Sequence, residues 1–244
     1  LTKELAALPG SRLLADRWIM SGILAVASLT TTMGAFGIMV DDKYKNLVKD
    51  FYSSPVSRSK LAGGYILSSY IIGVIMTFVA LVFAQLYLLI NGGGLIPLMT
   101  LIKIIGLILL STLANTALVL FIVSFISSQN AFGTASSILG TLIGFITGIY
   151  IPVGILPTAI QYVVKIFPVS HAALLLRQAM MEAPMAASFA GAPAAQVEGF
   201  KEMMGVTFKL GNYTFTPAVS FAVLAGTALL FYALSVGRLS VKKS

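Results

Sequence analysis

The 244-residue chain contains no cysteine and a single histidine, His171. Disulfides, thiolate metal sites and histidine-rich metal sites are therefore excluded. Charged residues make up only 10% of the chain, against about 25% in an ordinary soluble domain. No Gly-x-x-x-x-Gly-Lys-Ser/Thr phosphate loop occurs. What is present is apolar: 58% of residues are hydrophobic and the mean hydropathy is +0.96. The apolar runs are long and continuous, without the short alternating segments of a β-barrel, so the fold class is an all-α membrane bundle. The net charge of +8 is read as the positive flanks of membrane helices, not as a nucleic-acid footprint.

Five apolar segments stand out: Ile19–Val40, Tyr65–Ile90, Leu101–Ile126, Ala135–Tyr150 and Pro217–Val236. Ala135–Tyr150 is short, about 24 Å as a helix, and Pro152 and Pro157 follow it at once. Residues 1–244 are expected to form one transmembrane domain, with a charged segment at 41–60 and outer re-entrant helices and an extracellular segment at 151–216. Lys43, Lys45, Lys49, Arg58 and Lys60 lie in the first, and Arg238, Lys242 and Lys243 in the tail. Their density near span ends places both in the cytoplasm. Leu1–Trp18 then falls outside. A span upstream of Leu1 would remove that difficulty, so six spans with both termini inside are expected of the intact protein.

Within Lys43–Tyr52, Tyr44, Leu47, Val48, Phe51 and Tyr52 recur at i, i+3, i+4, i+7 and i+8, one stripe of a helix. Pro55 ends it, and Ser57 is placed to cap a second helix that runs into the next span. Two readings fit this element: an interfacial helix held by aromatics and lysines, or a docking helix for a cytoplasmic partner.

The stretch Ser54-Pro55-Val56-Ser57-Arg58, preceded by Asp41-Asp42 and the short helix, resembles the segment after the second span in permeases of type-2 ABC exporters, the drug-resistance permeases among them. Where those permeases usually carry Glu and then Gly-Thr-Leu, this chain has Asp41-Asp42 and Lys45-Asn46-Leu47. Pro168, Ser170, His171 and Arg177 resemble that family's outer region, a short helix leading through a Pro-x-Ser/Thr-His turn to a helix with an arginine. The resemblance implies an ATPase-coupling helix, with Asp41, Asp42, Tyr44, Leu47, Val48, Phe51, Pro55 and Arg58 as its residues. It further implies ATP and Mg on separate ABC ATPase subunits, none in this chain, and a second permease, identical or homologous. In the family, the second and fifth spans of two protomers meet and line the path. Ile19–Val40 and Ala135–Tyr150 would be these, with Thr30, Thr31, Thr32, Met33, Phe36, Leu139, Ile143, Phe145 and Ile146 as lining candidates.

Ser136, Gly140, Gly144 and Gly148 recur every four residues, a strip that lets another helix approach closely. Ile160, Val163, Val164 and Phe167 form a helical stripe dipping into the outer interface, with Ser170 capping the helix after it. The short fourth segment and this helix read as a span with a re-entrant return. His171 reads as a helix-start histidine in a structural hydrogen bond, with Glu182 the only nearby acid. Lys103 can snorkel. Gln85 and Asn115 read as helix–helix hydrogen bonders. Val206–Leu210 and Asn212–Phe215 can pair as a hairpin around Gly211. The absence of Asp and Glu from the assigned spans counts against an ion-coupled carrier.

The resulting expectation is a multi-pass permease of the cell membrane that exports a hydrophobic or amphipathic cargo such as a drug, peptide or lipid. Export of a lipid-linked glycan and a non-transporting scaffold that recruits an ATPase are the rival readings.

Overall fold

The computed structural model describes residues 10–45, 47 and 58–241, and of 58–59 and 237–241 the backbone alone. In chain order the helices are α1 (Ser11–Tyr44), α2 (Arg58–Ile90), α3 (Leu98–Ser124), α4 (Gln129–Ile146), α5 (Thr158–Ile166), α6 (Pro168–Ser188), α7 (Ala194–Met203) and α8 (Pro217–Val241). A 3-10 turn at Val153–Ile155 precedes α5, and a two-stranded hairpin, β1 (Lys209–Leu210) with β2 (Tyr213–Thr214), precedes α8. The protein is an all-α membrane bundle.

Among the described residues, four helices are long and apolar enough to cross a membrane: α1, α2 from Lys60, α3, and α8 over Pro217–Val236. The sequence pattern suggests a span at Ala135–Tyr150 as well. The helix there is α4, which ends at Ile146 and opens on Gln129-Asn130, so its polar first turn and scattered Gly, Ser and Thr dilute it. A fifth crossing arises only if α5 and α6, bent 86° at Phe167, count as one broken span.

The first span also differs from its sequence reading. The helix starts at Ser11 instead of Ile19, and carries Asp16 and Arg17 into the protein, where both are buried. Tyr87 donates to Asp16 there (3.1 Å), and the Arg17 Nη atoms donate to the carbonyls of Met180 (3.2 Å) and Gly93 (3.3 Å), which leaves Nε unpaired. A charge-based boundary stops short of such residues because it counts the charge and not its partner.

α1 and α3 form the centre. α1 packs on α2, α3, α4 and α6, and α8 lies along α3 and α6. The core they enclose includes Leu24, Leu29, Phe36, Ile104, Ile108, Leu120 and Leu174, each at most 2% exposed. α2 is peripheral and presents Ile75, Phe83 and Ile90 to the surroundings, as a lipid-facing helix does. Without water in the bilayer, buried hydroxyls must bond within the chain. Thr32, Thr77, Thr116 and Thr147 each donate to the carbonyl four residues before, at 2.7 Å. Asn115 of α3 reaches across to Ser28 Oγ of α1 at 2.7 Å, the helix–helix bond expected of it. Gln85 does not do this. Its amide closes the α2–α3 turn, donating to Gly94 O and accepting from Ile96 N.

The hairpin turns at Gly211, which has φ +60°, and pairs Leu210 with Tyr213. It is shorter than the expected Val206–Leu210 strand because Val206 N and Thr207 N instead bond Lys201 O at the end of α7.

α1, α2 and α3 approach closely at Gly73. A Cβ there would lie 2.4 Å from Thr32 Oγ1 and 2.9 Å from Thr112 Cγ2, whereas one at Gly63 would meet nothing within 4 Å. Gly73→Val is therefore expected to destabilise the bundle by about 1–3 kcal/mol or more, as overpacking does. Gly63→Val should leave stability within about 0.5–1 kcal/mol, the helix-propensity range. Thermal unfolding of the two variants in detergent, followed by size-exclusion chromatography, checks this.

Candidate functional site

Two regions carry the residues singled out in the sequence. The first is the end of α1 where segment 41–60 begins. Asp41 bonds Lys45 one helical turn on (2.6 Å) and accepts from Gln129, the first residue of α4. Asp42 accepts from Tyr65 of α2. The two adjacent acids thus tie α1 to α4 and to α2 respectively. The hydrogen bond to Asp41 also raises the Lys45 pKa above its ordinary value. Beyond this base, Tyr44 and Leu47 are 59% and 42% exposed, both apolar-bodied side chains turned outward. Arg58 is the first residue of α2. Val48, Phe51 and Pro55 lie outside the described residues, as does most of the expected helix Lys43–Tyr52.

The second region is the turn-back from α4 to α6. α4 starts beside Asp41 and runs back along α1, until Ile149 lies against Gly22. The helix then stops. Gly148 takes φ +73°, a conformation that glycine alone adopts without strain, and Gly144 O accepts from both Ile149 N and Tyr150 N. The Tyr150 ring folds over Gly144 and meets Phe145 edge-on at 5.1 Å. The four-residue strip is therefore divided. Gly144 makes room for Tyr150, Gly148 lies beyond the helix end, and Gly140 faces open space. Ser136 is part-buried, with its hydroxyl unpaired. Among the described residues no helix seats along the strip as a whole, and α4, which would carry it, ends before its last member.

α6 is the most enclosed of these elements. Its Arg177 is 1% exposed. Arg177 Nη2 donates to Thr147 O at 2.7 Å, just past α4, and the guanidinium lies 4.9 Å from the Trp18 ring centroid. Trp18 Nε1 in turn donates to Met204 O at 2.7 Å. Gly205 leaves the space, since a Cβ there would sit 2.9 Å from Nη1; Gly22 and Gly148 also border the group, but a Cβ on them would clash with Ile149 (2.4 Å) and Val153 (2.8 Å) instead. One side chain thereby joins α1, the end of α4, α6 and the segment after α7. Charge-assisted bonds of this kind and a desolvated cation–π contact are each worth about 2 kcal/mol.

Ser170 does not cap α6. The helix starts at Pro168, whose missing N–H costs nothing in a first turn, and the Ser170 hydroxyl donates to Ile146 O at 2.9 Å. His171 is structural, as expected. Its Nε2 lies 2.9 Å from Lys165 O, which can only accept, so Nε2 carries the proton. Nδ1 is left for the Ser220 hydroxyl of α8 at 3.0 Å, and the ring stacks on Phe215. Glu182 is not its partner, but pairs with Lys103 at 3.3 Å. Of the stripe on α5, Val164 is buried, while Ile160 and Val163 face outward.

The lining candidates separate into two groups. Thr32, Met33, Phe36 and Ile143 pack inside the protomer, and Thr31, Leu139 and Ile146 are half-buried. Thr30 and Phe145 are exposed. The exposed side of α1 is the line Ile23, Thr30, Gly34 and Ile38, with half-buried Ala27 between. α4 packs on α1 and leaves Gly133, Ile138, Gly140, Leu142 and Phe145 open. Sequence reasoning missed Trp18, Asp16 and Arg17 as site residues. Their signal was available: three polar-tipped side chains side by side at the start of an apolar run.

Compared with models of protein families, the chain matches the one described as "ABC-2 family transporter protein" over residues 4–236. Comparison with curated proteins finds no match.

Replacing Arg177 with Met should cost about 3 kcal/mol or more, since Thr147 O loses its donor and the Trp18 face its cation. Gly205→Ala should also destabilise, because Cβ would crowd the guanidinium and the backbone φ is +66°. Thermal unfolding in detergent measures both, and tryptophan fluorescence of Trp18, the chain's one tryptophan, reports the local change.

Proposed function

The chain belongs to the ABC-2 family of transporter membrane proteins and is a permease subunit of an ABC transporter, and from that premise we propose that it is half of an ATP-driven exporter. Segment 41–60 faces the cytoplasm and its apolar stripe docks on a separate ATPase subunit, which carries the ATP and Mg. A second permease chain, identical or homologous, completes the pathway in the cell membrane. The cargo is hydrophobic or amphipathic, of the kind of a drug, peptide or lipid.

The observation that supports this most is the base of the segment. Asp41 and Asp42 bind α4 and α2 to the end of α1, so force applied to the exposed Tyr44–Leu47 side is delivered to two spans and to α4 together. Coupling needs such a rigid joint between a moving partner and the elements it moves. The small-residue exposed faces of α1 and α4 support the second permease. A Cβ at Gly34, Gly133 or Gly140 would meet nothing within 4 Å, which leaves room for a close helix–helix approach. Thr30 and Phe145 lie on those faces and are the lining residues favoured here, ahead of Met33, Phe36 and Ile143.

Leu47→Asp and Phe51→Arg are expected to lower ATPase co-purification and cargo-stimulated ATP hydrolysis at least about tenfold, corresponding to roughly 1.4 kcal/mol of lost docking energy. Membrane insertion should be unchanged. Retention of both activities in both variants overturns the docking assignment. Co-purification without stimulation by any cargo points instead to a scaffold.

A further inference from the structure

A cavity of about 790 Å³ opens between the start of α3, the outer face of α6, α7 and the start of α8. That volume lies within the range of small-molecule sites. It sits at the end of the bundle opposite Asp41: Lys103 is near the start of α3, directly after the α2–α3 turn, and Pro217 opens α8. Leu107, Leu175, Phe189 and Val206 give it apolar walls. The space persists because its remaining wall is made of small residues. Gly106, Ala179 and Ala186 line it, and a Cβ on Gly106 would meet nothing within 4 Å.

The lining also carries charge. Lys103, Lys201 and Glu182 all line the cavity, a net charge of one positive. Lys103 is engaged by Glu182 at 3.3 Å, but both side chains are more than half exposed, so the pair is weak and exchangeable. Lys201 makes no ion pair among the described residues, in contrast to neighbouring Lys209, which pairs with Glu202. Ile102 and Phe221, also in the lining, are 55% and 44% exposed on the two apolar helices α3 and α8, so the cavity communicates with the bilayer side of the bundle. Two cations in the lining of an apolar chamber that opens towards lipid match one chemistry: an acidic head group with an alkyl chain.

We propose that this cavity is a binding site for an anionic phospholipid, with the phosphate held by Lys103 and Lys201 and one acyl chain against Gly106, Leu107 and Ala179. Such a lipid displaces Glu182 from Lys103 and secures α3, α6, α7 and α8 to one another. The site lies at the other end of the bundle from Asp41, so lipid binding is independent of whether the segment that begins there couples to an ATPase.

The test uses the full chain purified in detergent and passed into nanodiscs of phosphatidylglycerol or phosphatidylcholine. Retained lipid is counted by native mass spectrometry, and thermal stability is recorded with each lipid. Wild type is expected to retain phosphatidylglycerol in preference to phosphatidylcholine and to unfold at a higher temperature with it. Lys103→Gln combined with Lys201→Gln should remove the preference. Gly106→Phe, which projects into open space and so leaves the fold intact, should remove retention of both lipids at this site. Equal retention of the two lipids by wild type overturns the proposal, as does an unchanged preference in both variants. Stabilisation by soluble glycerol phosphate equal to that by phosphatidylglycerol overturns the lipid assignment and leaves a free-anion site.

Discussion

A guanidinium enclosed by apolar helices has to be met by acceptors and by space, and the turn-back half of this protein is organised around meeting Arg177. The hydrogen bond to Thr147 O fixes where the chain leaves α4, because that carbonyl is free only once the helix has ended. The cation–π contact holds Trp18, and Trp18 holds Met204, so the segment after α7 is pinned to α1. Gly205 is required by the volume of the same group, while Gly22 and Gly148 beside it make room for Ile149 and Val153. Buried charge of this sort is a costly way to gain stability, but it selects one arrangement, since misplacing any of its partners leaves the charge uncompensated.

The opposite end of the bundle follows another logic. There Asp41 and Asp42 are part-exposed, and the bonds they make are individually weak. Their significance is positional. They gather the ends of α1, α2 and α4 below a segment rich in lysine and aromatic residues. The proposed exporter needs such a joint, because work done in a separate ATPase subunit would reach the bilayer only through contacts of this kind.

α4 links the two ends. It begins at the acidic joint and finishes at the arginine chamber, running along α1 and exposing most of its own surface. Among the described residues α4 packs along its length on α1 alone and meets α6 only at its end, so it has a second face to cover. The small residues on that face allow another backbone to come close, which in lipid is a principal source of helix association. The proposed assembly of two permeases accordingly accounts for exposed glycines that would otherwise only lower helix propensity.

The class of the protein was legible in the sequence. Long apolar runs, few charges and no β alternation allow only a helical membrane bundle, because unpaired backbone is not tolerated in lipid. The hairpin at Gly211, the structural role of His171 and the Asn115 cross-link could also be read, since each depends on local chemistry with few alternatives. Other features could not. Asp16 and Arg17 fall outside the membrane segment on a charge count because their partners, Tyr87, Met180 and Gly93, are distant in the chain. Ser170 has the composition of a cap, yet the position of Ile146 O decides what it bonds. The glycine strip has a perfect period, but Arg177 and Tyr150 determine where α4 stops and so break it. Sequence by itself determined which residues avoid water and in what periodicity. The tertiary structure decided which polar groups inside that apolar mass meet one another, since the cost of burying each depends on a partner that spacing along the chain does not specify.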